Sequence, residues 1–266
     1  MSLTIVRLYH DLLGTYGDQG NAEILMHRAK ARNLDVQLVE VTPGMAVPRS
    51  GDIYLLGGGE DGPQSAALEM LKHDGGLQYA AAGGATVLAI CAGFQIIGES
   101  LPDSSGNAVS GLGLVDAHTI YDASPRSVGE LVIQPSRSGL PMLTGFENHQ
   151  GLTRLGEDMP PLGLVLSGVG NGFNKREGVW HGNIFGTYMH GPALARNPEL
   201  ADAVLQCAAG PLRQLRQWRH DGHDDGARCH ARRRPDPPHR RRAQPLPPGL
   251  HRQRHERVGR GRRPRR

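Results

Sequence analysis

Apolar positions along this chain follow two regimes that meet near residue 110. In the first, short unbroken apolar runs at 3–9, 36–41, 52–56 and 86–90 alternate with stretches of helical spacing at 21–32 and 63–82. Unbroken runs, unlike polar–apolar alternation, mark strands buried on both faces. Strands that alternate with helices predict the α/β class: an open, mostly parallel sheet flanked by helices.

In the second regime the pieces are short, β-prone and separated by Gly and Pro, at 113–121, 129–134, 163–169, 178–180 and 183–188. A last helix over 198–208 is expected after Asn197, because Pro198 suits a helix start. No internal repeat is seen, and the pattern predicts one folded domain over 1–220. No stretch approaches 18 apolar residues and the N-terminus is too short and interrupted for a signal peptide, so no stable membrane insertion is expected. Cys91, Cys207 and Cys229 are odd in number and contain no C-x-x-C pair, which argues against a disulfide framework or structural zinc site and favours a reducing cytoplasm.

Charge changes the picture at the C-terminal end. Residues 1–220 carry 15 Lys+Arg against 21 Asp+Glu, whereas 221–266 carry 15 Arg against 5 acidic residues. The basic pI of about 9.2 therefore comes from the tail, and no nucleic-acid role is inferred for the folded part. The tail holds seven prolines and no Phe, Tyr, Trp, Ile or Met, too little apolar surface to offset the entropy of ordering, so disorder is expected. Its Arg/Pro/His/Gly bias also fits a GC-rich gene translated in a wrong reading frame. A frameshift artefact and a genuine basic tail are both consistent with it.

Candidate chemistry concentrates where the strands end. Cys91 closes the run 86–90 and is followed at once by a helix start at Ala92, the strand–turn–helix setting in which α/β enzymes present a nucleophile. His190 closes the run 183–188 on the same predicted sheet edge and is the candidate acid/base. His149 is a competing base or a satisfied loop histidine within 145–151. The glycines Gly57, Gly58 and Gly59 end another strand, where backbone N–H groups can turn toward a developing oxyanion, although a plain turn has the same composition. They form neither a phosphate loop nor a dinucleotide fingerprint. The loop 11–21, with Asp18 and Asn21, either lines the site or a partner interface, or is an ordinary helix entry capped by Asn21.

Taken together, three segments carry a specific resemblance: Gly57-Gly58-Gly59, Ile90-Cys91-Ala92-Gly93-Phe94-Gln95 and Tyr188-Met189-His190-Gly191. They resemble the class I, triad-type glutamine amidotransferase domain, a flavodoxin-like α/β fold. The segments Tyr16-Gly17-Asp18-Gln19-Gly20-Asn21, Gly145 to Gly151 and Tyr188 to Pro192 are similar to its cobyric-acid-synthase-like branch, and within it to the small glutaminase subunits of lipid II isoglutaminyl synthase. The resemblance covers about 3–208.

The resemblance implies that Cys91 is the nucleophile and His190 the acid/base. It implies an oxyanion hole from Gly57, Gly58 and Gly59 with the N–H of Ala92, and Arg126 as the group that binds the glutamine substrate. It implies no metal or organic cofactor in this chain. A Mur-ligase-like synthetase subunit of the MurT type would form a heterodimer with it, supply ATP and magnesium, and receive the ammonia. Two alternatives stand beside it: amidation in corrinoid biosynthesis, and a catalytically silent binding module on the same fold. The broader class carries a glutamate two residues after the histidine, where this chain has Pro192. The third acid then comes from elsewhere in this chain or from the partner, and the resemblance suggests an aspartate of the partner subunit.

Overall fold

The computed structural model describes residues 2–121 and 125–209. The basic tail therefore lies outside the described residues, and the expectation of disorder there with it. The first half holds β1 (Leu3–Leu8), α1 (Gly20–Ala31), β2 (Val36–Val41), β3 (Ile53–Leu56), α2 (Asp61–Asp74), α3 (Gly76–Ala82), β4 (Thr86–Ile90) and α4 (Ala92–Ile97). The second holds β5 (Ser100–Pro102), β6 (Ala108–Ser110), β7 (Ala117–Tyr121), β8 (Ser127–Pro135), β9 (Leu143–His149), β10 (Gly151–Leu155), β11 (Gly163–Ser167), β12 (Arg176–Glu177), β13 (Val179–His181), β14 (Ile184–Thr187), α5 (Ala193–Arg196) and α6 (Pro198–Ala209).

Among the described residues the main sheet has the order β13-β14-β4-β3-β1-β2. Its pairs from β14 to β2 are all parallel, and only the edge strand β13 runs antiparallel. β3 and β4 are buried at every position, as unbroken apolar runs covered on both faces must be. The α/β class with a mostly parallel sheet is thus observed. Two smaller sheets, β10-β7-β5-β6 and β12-β11-β8-β9, account for the short β-prone pieces of the second half.

Three local expectations are corrected. The single helical stretch over 63–82 is broken at Gly75, which takes a left-handed φ of 68° and donates its N–H to the carbonyl of Leu71. The segment 145–151 is not a loop but the end of β9 and the start of β10, because pairing with β8 and β7 overrides the weak β-preference of Gly, Asn and Gln. Asn21 is not a cap. α1 begins at Gly20 without a side-chain cap, and the Asn21 Oδ1 instead accepts the N–H of Leu194 across the fold.

The helices are tied to one another as well as to the sheet. Arg28 of α1 grips Asp202 of α6 through two parallel bonds of 2.7 Å each, and Arg32 adds a third at 2.6 Å.

Candidate active site

β4 delivers Cys91 to the C-terminal edge of the main sheet, where the chain must reverse into α4. Cys91 adopts φ 50° and ψ −106°, a strained conformation for a side chain with a Cβ, and is a free thiol 8% exposed. Its N–H donates to the carbonyl of Thr187 at 2.8 Å, so β14 supports the turn. The helix behind it packs so closely that Gly93 admits no side chain: an added Cβ would lie 2.7 Å from Leu56 Cβ and 2.9 Å from its carbonyl oxygen.

His190 leaves β14 on the same edge and is fully buried. Its backbone is clamped to β9, with its N–H donating to the Phe146 carbonyl at 2.8 Å. The ring is held by Asp18, which accepts from Nδ1 at 2.9 Å in a pair with no solvent exposure on either side chain. The Tyr16 ring packs edge-on against the imidazole, with centroids 4.9 Å apart. Nε2 is buried with no hydrogen-bond partner among the described residues, and Cys91 is the other side chain that bears on the ring. Burial acts against the imidazolium, but the hydrogen bond to Asp18 and the interaction with Cys91 outweigh it, and the His190 pKa is pushed up to about 10.

A carboxylate that orients the imidazole is therefore present within this chain. Asp18 reaches His190 from the loop after β1, 172 positions away in sequence. Pro192 itself is only the residue before α5.

Of the four proposed oxyanion donors, Gly58 is already committed, because its N–H donates to the same Asp18 Oδ2 at 2.8 Å. Gly57 accepts the Gly93 N–H and lies under the Leu13 carbonyl, away from the cleft. Gly59 and Ala92 line the cleft beside Cys91, and among the described residues neither N–H has a protein acceptor. These two are placed to meet an oxyanion. The glycine at 58 has a different necessity: a Cβ there would sit 2.5 Å from His190 Cε1.

The cleft, of about 400 Å³ open to solvent, is lined by Cys91, Gly59, Glu60, Asp61, Tyr121 and Arg126 among others. Arg126 lies at its mouth, where it donates to the side chain of Asn148 and, from Nη2, to the Asn148 carbonyl at 3.2 Å. His149 lines the cleft but faces inward. It stacks on Tyr188 at 3.8 Å, with Nδ1 2.9 Å from the Gly151 carbonyl and Nε2 3.3 Å from Glu147. Both nitrogens face oxygen acceptors, so neither is free to take a proton from Cys91. Asn21 touches neither Cys91 nor the cleft lining.

Tyr16 against His190, and Glu147 and Tyr188 against His149, are contacts that sequence reading did not single out. A signal was available for Tyr16, which stands in the same motif as Asp18.

A thiol presented this way, faced by an imidazole that a carboxylate orients, is equipped to attack a carbonyl carbon and hand a proton to the leaving group. The class that fold and site define is thus cysteine-dependent acyl transfer on an open α/β sheet. Comparison with known proteins makes this particular: the model of the CobB/CobQ-like glutamine amidotransferase domain matches residues 4–198, and the chain belongs to that family. It is similar to the lipid II isoglutaminyl synthase (glutamine-hydrolyzing) subunit GatD of Staphylococcus aureus, 38% identical over 77% of this chain and 84% of that one. The Streptococcus pneumoniae subunit of the same name is also 38% identical, over 77% of this chain and 80% of its own. A probable cobyric acid synthase of Methanopyrus kandleri is 32% identical over 59% of this chain but only 34% of its own length.

Proposed function

We propose that the chain is the glutaminase subunit of a lipid II isoglutaminyl synthase, hydrolysing L-glutamine to L-glutamate and ammonia. The carrying observation is the Cys91–His190–Asp18 arrangement in a chain that matches most of the length of two GatD subunits. The Cys91 thiolate attacks the side-chain amide carbon, forming a C–S bond while the carbonyl oxygen takes negative charge. The N–H groups of Gly59 and Ala92 meet that oxygen. His190, charged at neutral pH, gives its Nε2 proton to the amide nitrogen, the C–N bond breaks, and ammonia leaves a γ-glutamyl thioester. The now neutral His190 takes a proton from water, which attacks the thioester and releases glutamate and the thiolate. Asp18 holds the Nδ1 proton throughout, and Arg126 at the cleft mouth suits the substrate α-carboxylate.

The ammonia passes to a Mur-ligase-like partner of the MurT type in a heterodimer. That partner uses ATP and magnesium to activate the α-carboxyl of D-glutamate in the lipid II stem peptide, and the product carries D-isoglutamine. A cytoplasmic setting follows, since the precursor is built there; among the described residues no helix is long and apolar enough to cross a membrane. The test is reconstitution with such a partner, following glutamate release and lipid II amidation. Cys91→Ala and His190→Ala are each expected to abolish both. Glutamate release that survives either substitution removes the assignment, and amidation of a corrinoid instead of lipid II removes the acceptor.

A further inference from the structure

The carboxyl of Glu177 has no part in the chemistry above, yet it is fully buried directly behind the strand that presents His190. Its Oε1 accepts the hydroxyl of Thr187 and, at 2.9 Å, the N–H of Tyr188. The Thr187 Oγ1 in turn accepts the N–H of Met189 at 3.0 Å. Thr187 at the end of β14 and Tyr188 after it are thus fastened to one carboxyl oxygen, and Met189 is fastened to it through the Thr187 hydroxyl. The other oxygen, Oε2, is buried with no partner among the described residues, an arrangement that costs free energy in any protein.

We propose that Glu177 is a positioning residue for His190, acting through Thr187 and Tyr188 to hold the imidazole between Asp18 and Cys91. The proposal rests on the functional reading above for its chemistry but on the 177–190 contacts for its geometry. Besides Thr187, the charged groups that bear on Glu177 are Glu147 and His149, from β9. Burial raises the Glu177 carboxyl to about 7, against the lowering effects of Thr187, Tyr188 and His149. Oε1 thus takes both of the carboxyl's hydrogen bonds among the described residues, and Oε2 takes none.

The experiment uses the full chain carrying Thr187→Val, Glu177→Ala or Glu177→Gln. It measures steady-state glutamate release and the pH dependence of Cys91 alkylation by iodoacetamide, with thermal midpoints as the check on folding. Thr187→Val keeps a β-branched strand residue and removes only the hydroxyl link. It is expected to lower kcat about tenfold or more with KM within about twofold, since small displacements of a catalytic group carry such penalties. The alkylation profile should move toward that of an unassisted thiol. Glu177→Ala should behave alike, and Glu177→Gln, which retains an acceptor oxygen, should recover most of the rate. Unchanged kcat and alkylation profile in Thr187→Val overturn the proposal, whether or not Glu177→Ala folds. If the wild-type chain reconstituted with the partner releases no glutamate but the alkylation profile still moves in Thr187→Val, the positioning role stands and the glutaminase reading falls.

Discussion

Asp18 serves two donors with one oxygen, the imidazole Nδ1 and the N–H of Gly58, and so links the histidine to the glycine run. Asp18→Asn keeps the size and an acceptor but removes the charge that favours the imidazolium. We expect kcat for glutamine hydrolysis to fall roughly 10²-fold, at the lower end of what general acid–base assistance supplies. The sign of the pH effect follows from the raised His190 pKa. Its favourable interactions are fully present below about 6.5, the ordinary histidine value, and are lost as pH rises through about 10. The alkaline limb of kcat/KM should therefore lie near 10 in the wild type and move to lower pH in Asp18→Asn. An alkaline limb that stays in place shows that Asp18 does not set the histidine. A second residue-scale outcome concerns Gly58→Ala, whose methyl would press on His190 Cε1 at 2.5 Å. Activity is expected to be lost, whereas Gly62→Ala, where an added Cβ meets nothing, leaves the rate unchanged. At this scale Cys91 and His190 were legible, because each closes an apolar run. Asp18 was only suspected, since its meeting with His190 across 172 positions is a product of the sheet order and leaves no local pattern.

Elements position these residues through close approach more than through hydrogen bonding. α4 can start directly at Cys91 only because Gly93 lets the helix lie on the end of β3. Gly93→Ala forces a Cβ to 2.7 Å from Leu56 Cβ, within a fully buried contact that includes backbone. A loss of about 1–3 kcal/mol is expected, the usual cost of overpacking a core, together with a loss of Cys91 reactivity. Urea unfolding and thiol titration of the same variant check both parts; a stable, reactive Gly93→Ala would show that α4 tolerates displacement. The parallel strands and the helices around them were readable from periodicity because burial on both faces leaves unbroken apolar runs. β9 and β10 were not, since Phe146-Glu147-Asn148-His149 mixes types. Its outward positions are only half-buried, while its inward ones carry the polar Glu147 and His149 in place of an apolar stripe. Those inward polar groups belong to the cluster behind Tyr188, where function departs from the binary pattern.

For the whole molecule, the decisive fact is that the candidate nucleophile, the candidate acid/base and a carboxylate that orients it all belong to one chain. The broader class carries its acid where this chain has Pro192, so the acid has to come from elsewhere in this chain or from a partner. With Asp18 already on His190, the chain alone has what formation of the thioester demands. We expect the purified full chain, without any synthetase, to release glutamate and to be labelled at Cys91 by a glutamine analogue carrying an electrophile. A chain ending at residue 220 should do the same, because every group assigned to the chemistry lies between Asp18 and His190. The partner is then expected to act on what happens after C–N cleavage: the fraction of ammonia captured in amidated product should rise on its addition. Cys91 labelling in its absence should change by less than about threefold, a shift of under roughly 1 kcal/mol in the barrier. Mass spectrometry of the labelled chain decides the matter. Labelling that appears only with the partner would mean that the Asp18–His190 pair is insufficient and that a group from the second protein completes the site.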